Sequence, residues 1–259
     1  MVSALKFTPD MELVARVAAA QYDTGPQLHE SDHLLRYIVE AADAETGIAN
    51  YFRGGFKDAK SIKRVLEALS IERANQKILD FASGYGRVVR HLNGMLPDHE
   101  VYASDIHPEA VEFMNGELGI QSYVSSHAPE DLDIGADYDF IYAMSLFSHL
   151  PKASFGRWLQ ALYERLAVGG FLMFTTHGQL AIDRHPEFFG GIFDNQEGCG
   201  YRTESDQLDL DGEEYGSMVV SMQFVLDVVE KYAKGARVHQ FESGAVMSIQ
   251  DKWVIKRVG

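Results

Sequence analysis

The sequence predicts an α/β fold in which helices precede a doubly wound, mostly parallel sheet. From about residue 75, short apolar segments alternate with amphipathic helical patterns, and such alternation requires parallel strands joined by crossover helices. Before residue 70, only helical spacing is visible. At the end of the chain, two strand candidates are separated by a short turn and can pair as an antiparallel hairpin.

Residues 1–70 are predicted to form a helical cap. Ser31 is suited to cap a first helix there, and the glycine pair in Tyr51–Gly55 is expected to interrupt the helical pattern. Asp58 would then cap a second helix. That helix carries an apolar stripe at helical spacing, formed by Ile62, Val65, Leu66 and Leu69.

Residues 71–259 are predicted to form the second domain, which contains the sheet. Its strand candidates are 78–81, 101–105, 121–124, 138–144, 171–175, 237–242 and 252–258. Gly169 and Gly170 are expected to end the helix that precedes the fifth strand. Residues 178–217 interrupt the alternation of strands and helices as an insertion rich in Gly, Asp and Glu. A connection of this length is usually functional or disordered.

Composition restricts the partners and the compartment. The formal net charge is −15, which disfavours phosphate backbones, so we expect no nucleic-acid partner. The single cysteine, Cys199, can form no internal disulfide and fits a reducing cytoplasm. No segment has the roughly 20 apolar residues that span a bilayer, so no membrane partner is expected. An acidic run from Glu204 to Glu214 lacks the spacing of a calcium loop, and no metal site is predicted.

The first two strands end in residues suited to bind a ligand. The first runs into Asp80-Phe81-Ala82-Ser83-Gly84-Tyr85-Gly86, and the second ends in Asp105. Ligands of doubly wound sheets bind beyond the carboxyl ends of the strands. Glycines let the backbone approach a ligand closely, and a carboxylate at Asp105 can accept hydrogen bonds from a ribose diol. These facts alone allow either a nicotinamide dinucleotide or an adenosyl cofactor, although Val89 occupies the place of the third glycine of the dinucleotide pattern.

Four segments resemble class I S-adenosylmethionine-dependent methyltransferases. They are Ile78 to Gly86, Ala103 to Ile106, Asp137 to Ile141 and Leu166 to Leu172. The resemblance covers roughly residues 75–259. It implies a seven-stranded Rossmann-like sheet that ends in an antiparallel pair, with S-adenosylmethionine as cofactor and S-adenosylhomocysteine as product. The sequence departs from the family at Ala82, where the family usually has its first glycine.

The resemblance also implies a role for each matching residue. Asp80 would face the methionine ammonium, and the loop Ala82, Ser83, Gly84, Tyr85 and Gly86 would run beneath the cofactor. Asp105 would hold the ribose hydroxyls and Ile106 would pack on the adenine. His127 stands where the family often has an acid near the adenine amino group, and Met144 would lie near the methionine moiety.

Methyl transfer from a sulfonium is an in-line displacement, in which the protein supplies alignment and a dry site. A general base helps when the acceptor is a hydroxyl or a protonated amine. His149, after the fourth strand, and His177, after the fifth, are the candidate bases, because histidine titrates near neutral pH. The acceptor is expected to be a small molecule, and the oligomeric state is not predicted.

Two other functions are compatible with parts of this pattern. A non-catalytic or regulatory protein that keeps the methyltransferase fold would explain Ala82. A nicotinamide-dependent oxidoreductase would explain the glycines and Asp105, but the residue at position 89 argues against it.

Overall fold

The computed structural model describes residues 5–71, 74–204, 207 and 209–259. The chain forms two compact units, one up to Ser125 and one from Ser126 onwards. None of the described helices combines the length and the apolar character that crossing a bilayer requires.

The first unit begins with three helices: α1 (Pro9–Gln21), α2 (His33–Glu40) and α3 (Ala44–Ala68). Each begins at a polar residue whose side chain accepts a backbone N–H of the first turn: Thr8, Asp32 and Asp43. The predicted cap at Ser31 is therefore wrong by one position. The Asp32 carboxylate takes this role instead, accepting the Leu35 amide at 2.9 Å.

The predicted break at Tyr51–Gly55 is also wrong, because α3 continues through the glycine pair. A Cβ atom on Gly55 would lie 2.2 Å from the Arg87 carbonyl oxygen. Gly55 therefore allows the backbone of residue 87 to pack directly on α3, which the sequence pattern could not reveal. Asp58 lies inside α3 and caps nothing; its carboxylate pairs with the Arg87 guanidinium at 2.7 Å.

Three parallel strands complete the first unit. The chain continues through β1 (Lys77–Phe81), α4 (Val89–Met95), β2 (Glu100–Asp105), α5 (Pro108–Gly116) and β3 (Ser122–Val124). The strands lie in the order β3-β2-β1, with Phe81 opposite Ser104 and Asp105 opposite Val124. This register brings the loop after β1 and the end of β2 to the same edge.

Among its described residues, the second unit contains six strands and three α-helices. In chain order they are β4 (Tyr138–Ala143), α6 (Lys152–Glu164), β5 (Leu166–His177), α7 (Gln179–Arg184), β6 (Cys199–Arg202), β7 (Ser217–Val220), α8 (Met222–Tyr232), β8 (Arg237–Val246) and β9 (Gln250–Lys256). Strand β5 is parallel to β4 and antiparallel to β9, which forms an antiparallel hairpin with β8. The pairings confirm the predicted doubly wound, mostly parallel α/β fold and its terminal antiparallel hairpin.

Gly169 and Gly170 do not end the preceding helix, as predicted, but lie inside β5. The helix ends at Glu164, five residues before the glycines. Gly169 has a φ of +89°, and the β4–β5 register shifts between Tyr138 and Phe140. The pair therefore accommodates an irregularity in the strand.

The predicted insertion at 178–217 is largely structured where the structure describes it. It holds α7, a π-helical turn over Pro186–Gly190 and β6, and its last residue begins β7. Strands β6 and β7 pair antiparallel. With them, the number of described strands is nine, two more than the seven that the resemblance implies. Within the acidic run, Asp206 lies outside the described residues.

Two neighbouring glycines of α3 should respond differently to alanine. Gly55→Ala should lower the free energy of unfolding by about 1–3 kcal/mol, because the new methyl group meets fixed backbone. Gly54→Ala is the matched control: its Cβ would approach only the flexible end of Arg87, at 3.1 Å. It should be neutral or stabilise the helix by up to about 1 kcal/mol. Urea unfolding of both variants tests this, and equal midpoints would contradict the packing role of Gly55.

Candidate functional site

The loop after β1 adopts a conformation that favours glycine at three positions. Ala82, Gly84 and Gly86 have φ values of +60°, +56° and +74°. A Cβ on Gly86 would lie 2.8 Å from Leu118 Cδ1, whereas one on Gly84 would meet nothing within 4 Å. Gly86 thus packs closely on the protein, while the face of Gly84 is open to a ligand. Ala82 is the exception, since an alanine with positive φ is strained.

Asp105 joins the end of β2 to this loop. Its Oδ2 accepts the Gly84 amide at 2.7 Å, and its Oδ1 accepts the His107 amide at 3.0 Å. The His107 ring Nδ1 also lies 2.8 Å from Oδ1 and carries the proton of that bond, because a carboxylate only accepts. A carboxylate offers about four acceptor positions. The three bonds described use three of these positions on the buried Asp105. About one acceptor position therefore remains, on Oδ2 next to Gly84.

Aromatic side chains surround the glycine loop within the first unit. Tyr85 is buried and stacks on His29 with ring centroids 4.7 Å apart. Burial, with a contribution from Glu109, raises the pKa of the Tyr85 hydroxyl to about 12. His33 stacks on His107 at 6.0 Å. Residues 29–33, which lead into α2, therefore contact the same loops that the resemblance assigns to the cofactor.

The other residues predicted for this site lie at the expected strand ends. Asp80 is buried at the end of β1 and Ile106 is half-buried directly after β2. Arg90 was not predicted. It is a buried arginine of α4 that donates hydrogen bonds to the Tyr85 and Gly86 carbonyls. No local sequence signal marks it, because its partners are backbone atoms.

The two candidate bases lie together in the second unit. His149 follows β4 and His177 is the last residue of β5, and their ring centroids are 6.5 Å apart. His149 Nδ1 lies 2.6 Å from the Gly216 carbonyl oxygen, and the ring stacks on Tyr215 at 4.5 Å. His177 Nδ1 lies 3.2 Å from the Met218 carbonyl oxygen. Since carbonyls only accept, each Nδ1 carries a proton, and Nε2 of a neutral ring is basic.

The two histidines differ in burial. Burial, with a smaller effect of His149, lowers the pKa of His177 to about 4, so its ring is neutral at physiological pH. Phe189 covers it, with ring centroids 4.6 Å apart. His149 is half-buried. It is therefore the more accessible of the two candidate bases.

A polar network positions the turn that carries His149. Ser145, with a φ of +64°, donates its amide to Thr175 Oγ1 at 2.8 Å. Gln250 of β9 accepts the Thr175 hydroxyl at 2.7 Å and donates to Ser145 Oγ at 3.1 Å. The turn after β4 is thus fixed by side chains of β5 and β9.

Met144 and His127 complete the predicted residues. Met144 is half-buried directly after β4. The His127 side chain is 72% exposed and lies 3.7 Å from Glu214 Oε2. Its assignment to the adenine stays a prediction. Among the described residues, no group of three or more His, Cys, Asp or Glu side chains is placed to hold a metal ion.

A groove of about 280 Å³ lies elsewhere in the first unit. It is lined by α3 and by residues 95–99, which precede β2. It is therefore at the amino end of β2, away from Asp105 and the glycine loop, and we assign no ligand to it.

Several solved structures with a similar fold are methyltransferases. One is an amino pentose methyltransferase of Micromonospora echinaspora, solved with S-adenosylmethionine, which is 16% identical with a TM-score of 0.56 over 81% of this chain and 95% of that one. Another is magnesium protoporphyrin IX methyltransferase of Synechocystis, solved with S-adenosylhomocysteine, at 14% identity and a TM-score of 0.56 over 81% and 87% of the two chains. A methyltransferase of Clostridium acetobutylicum has 13% identity and a TM-score of 0.55 over 78% and 91%. At these identities, the likeness shows the fold.

The family is shown by sequence. No curated protein matches the chain, but a family model described as a methyltransferase domain matches residues 53–221. This match covers more than half of the chain and includes β1, the glycine loop, Asp105, His149 and His177. The chain therefore belongs to the methyltransferase domain family.

Proposed function

We propose that the protein is an enzyme that transfers a methyl group in line from S-adenosylmethionine to a small-molecule acceptor. The observation that supports this most strongly is the open face of Gly84, whose amide is held by Asp105 at 2.7 Å. In this proposal, residues 71–259 are the methyltransferase domain and residues 1–70 are its N-terminal helical cap.

The residues of the glycine loop fit an adenosyl cofactor. Gly84 leaves space for the ligand, and Asp105 has an acceptor position left for a ribose hydroxyl. The buried carboxylate of Asp80 suits the cationic methionine end, and Ile106 supplies an apolar surface for the adenine. Met144 and His127 are assigned to the methionine moiety and the adenine amino group. When bound, S-adenosylmethionine supplies an activated methyl group on its sulfonium.

His149 is the proposed general base and His177 its neighbour in the acceptor site. The Gly216 carbonyl fixes the tautomer of His149, and stacking on Tyr215 fixes its ring plane. With the proton on Nδ1, the basic nitrogen of the neutral ring is Nε2, the atom that would take a proton from an acceptor hydroxyl or amine. His177 stays neutral above about pH 4, so it adds no positive charge beside His149.

A small acceptor suits the charge of this chain. The net charge of −15 opposes binding of nucleic acid. The similar structures include methyltransferases of an amino pentose and of magnesium protoporphyrin IX, both small molecules. The single cysteine supports a cytoplasmic setting.

A non-catalytic, ligand-binding protein is the second candidate, and the strained Ala82 favours it. Binding of S-adenosylhomocysteine without turnover of S-adenosylmethionine on a panel of phenols, amines, sugars and carboxylic acids would support that alternative. Release of S-adenosylhomocysteine with any member of the panel would exclude it.

Asp105→Asn should weaken S-adenosylhomocysteine binding by about 10–100-fold. The change removes a charge-assisted hydrogen bond of about 1.5–3 kcal/mol. Isothermal titration calorimetry measures the affinity, with Glu109→Gln, an exposed acid in the first turn of α5, as the control that binds normally. The wild type should not bind NAD. A folded wild type that binds no S-adenosylhomocysteine would contradict the proposed function.

His149→Gln should lower kcat by about 100-fold or more with the best acceptor of the panel, because a general base contributes about 10²–10⁴. The affinity for S-adenosylhomocysteine should not change. The exposed His239→Gln on β8 is the control. If His149→Gln keeps its full kcat across the pH range, the reaction needs no base at this position.

Ala82→Gly should raise the free energy of unfolding by up to about 1 kcal/mol, because glycine tolerates a φ of +60°. The control is Ala20→Gly, at an exposed helical position, which should lower the free energy of unfolding by about 1 kcal/mol. Urea unfolding compares the two. An equal decrease in the free energy of unfolding of both variants would show that Ala82 is not strained.

A further inference from the structure

Arg90 is a buried arginine whose described hydrogen bonds all reach backbone carbonyls. It lies in α4 and is 6% exposed. Its Nε donates to the Gly86 carbonyl at 3.0 Å and its Nη2 to the Tyr85 carbonyl at 3.1 Å. Its Nη1 donates to the Gln27 carbonyl at 2.7 Å. One guanidinium therefore connects the glycine loop to the segment before α2.

These bonds hold the loop through its backbone. The peptide between Tyr85 and Gly86 is held at both ends: its carbonyl accepts from Arg90, and its N–H donates to the Ser83 carbonyl at 3.1 Å. The Gly86 carbonyl also accepts the Arg90 amide at 3.2 Å. A planar guanidinium with several donors at fixed angles sets two adjacent carbonyls together, which a lysine ammonium cannot do.

The surroundings of Arg90 hold its side chain in one place. The guanidinium lies 5.6 Å from the Phe52 ring centroid and 5.8 Å from that of Tyr51. The Tyr51 hydroxyl donates to Asp32 Oδ2 at 2.6 Å, and the other oxygen of Asp32 caps α2. Arg90 is thus supported from α3 and, through Asp32, from the start of α2.

The segment that Arg90 binds also contacts the predicted cofactor residues. His29 stacks on Tyr85 and His33 stacks on His107, the residue that bonds to Asp105. Residues 27–33 therefore cover both loops that the proposed function assigns to the cofactor.

We propose that Arg90 is a positioning residue for cofactor binding, which orders the glycine loop and residues 27–33 as one unit. This proposal rests on the proposed function. A ligand that meets a preorganised loop avoids the entropy cost of ordering it. Arg90 therefore acts on affinity and not on the chemical step.

The test compares Arg90→Met, Arg90→Lys and Arg87→Met in the full chain. Arg87→Met is the matched control: Arg87 also connects to α3, through Asp58, but its guanidinium has no described bond to the glycine loop. Calorimetry with S-adenosylhomocysteine gives the affinity, and thermal unfolding gives the stability. Hydrogen exchange reports on residues 27–33 and 82–86.

Arg90→Met should weaken S-adenosylhomocysteine binding at least 10-fold and speed exchange in both segments. Arg90→Lys should recover part of the affinity, and Arg87→Met should bind within about 3-fold of wild type whatever its stability. With an active acceptor, KM for S-adenosylmethionine should rise while kcat stays within about 2-fold.

Normal affinity in a folded Arg90→Met or Arg90→Lys protein would overturn the proposal. If Arg90→Met does not fold, the decision rests on Arg90→Lys. Failure of the wild type to bind S-adenosylhomocysteine is a different result, since it would contradict the proposed function itself.

Discussion

The hydrogen bond from the Gly84 amide to the Asp105 carboxylate connects the ends of two parallel strands, and the candidate cofactor site depends on it. Strand register brings β1 and β2 to one edge. The bond then fixes the distance between the loop and the carboxylate. Because Gly84 has no side chain, its open face and the remaining acceptor position of Asp105 are available together.

Close backbone packing of α3 supports the segment that follows the glycine loop. Gly55 allows α3 to approach the carbonyl of Arg87, which follows the glycine loop directly. The helical stripe Ile62, Val65 and Leu66 is buried, so α3 belongs to the core of the first unit. The helices before the sheet thus take part in shaping the loop and are more than an external cover.

In the second unit, backbone carbonyls determine the chemistry that the histidines can perform. Gly216 and Met218 flank the start of β7, and each accepts from the Nδ1 of one histidine. The strand that follows the insertion therefore fixes the tautomers of His149 and His177. This gives residues 178–217 a structural connection to the proposed base.

Sequence alone predicts the alternation of strands and helices, the glycine loop, Asp105 and the family, because these depend on short segments whose spacing is visible along the chain. The tertiary structure was needed to find the cap at Asp32, the continuous α3, the strand position of Gly169 and Gly170, and the contacts of Arg90. Each depends on a contact between residues that are adjacent in space or on a backbone atom that every residue type carries. Gly55 and Arg90 illustrate the reason: the partner of each is a carbonyl oxygen, and a carbonyl leaves no mark in the pattern of side chains.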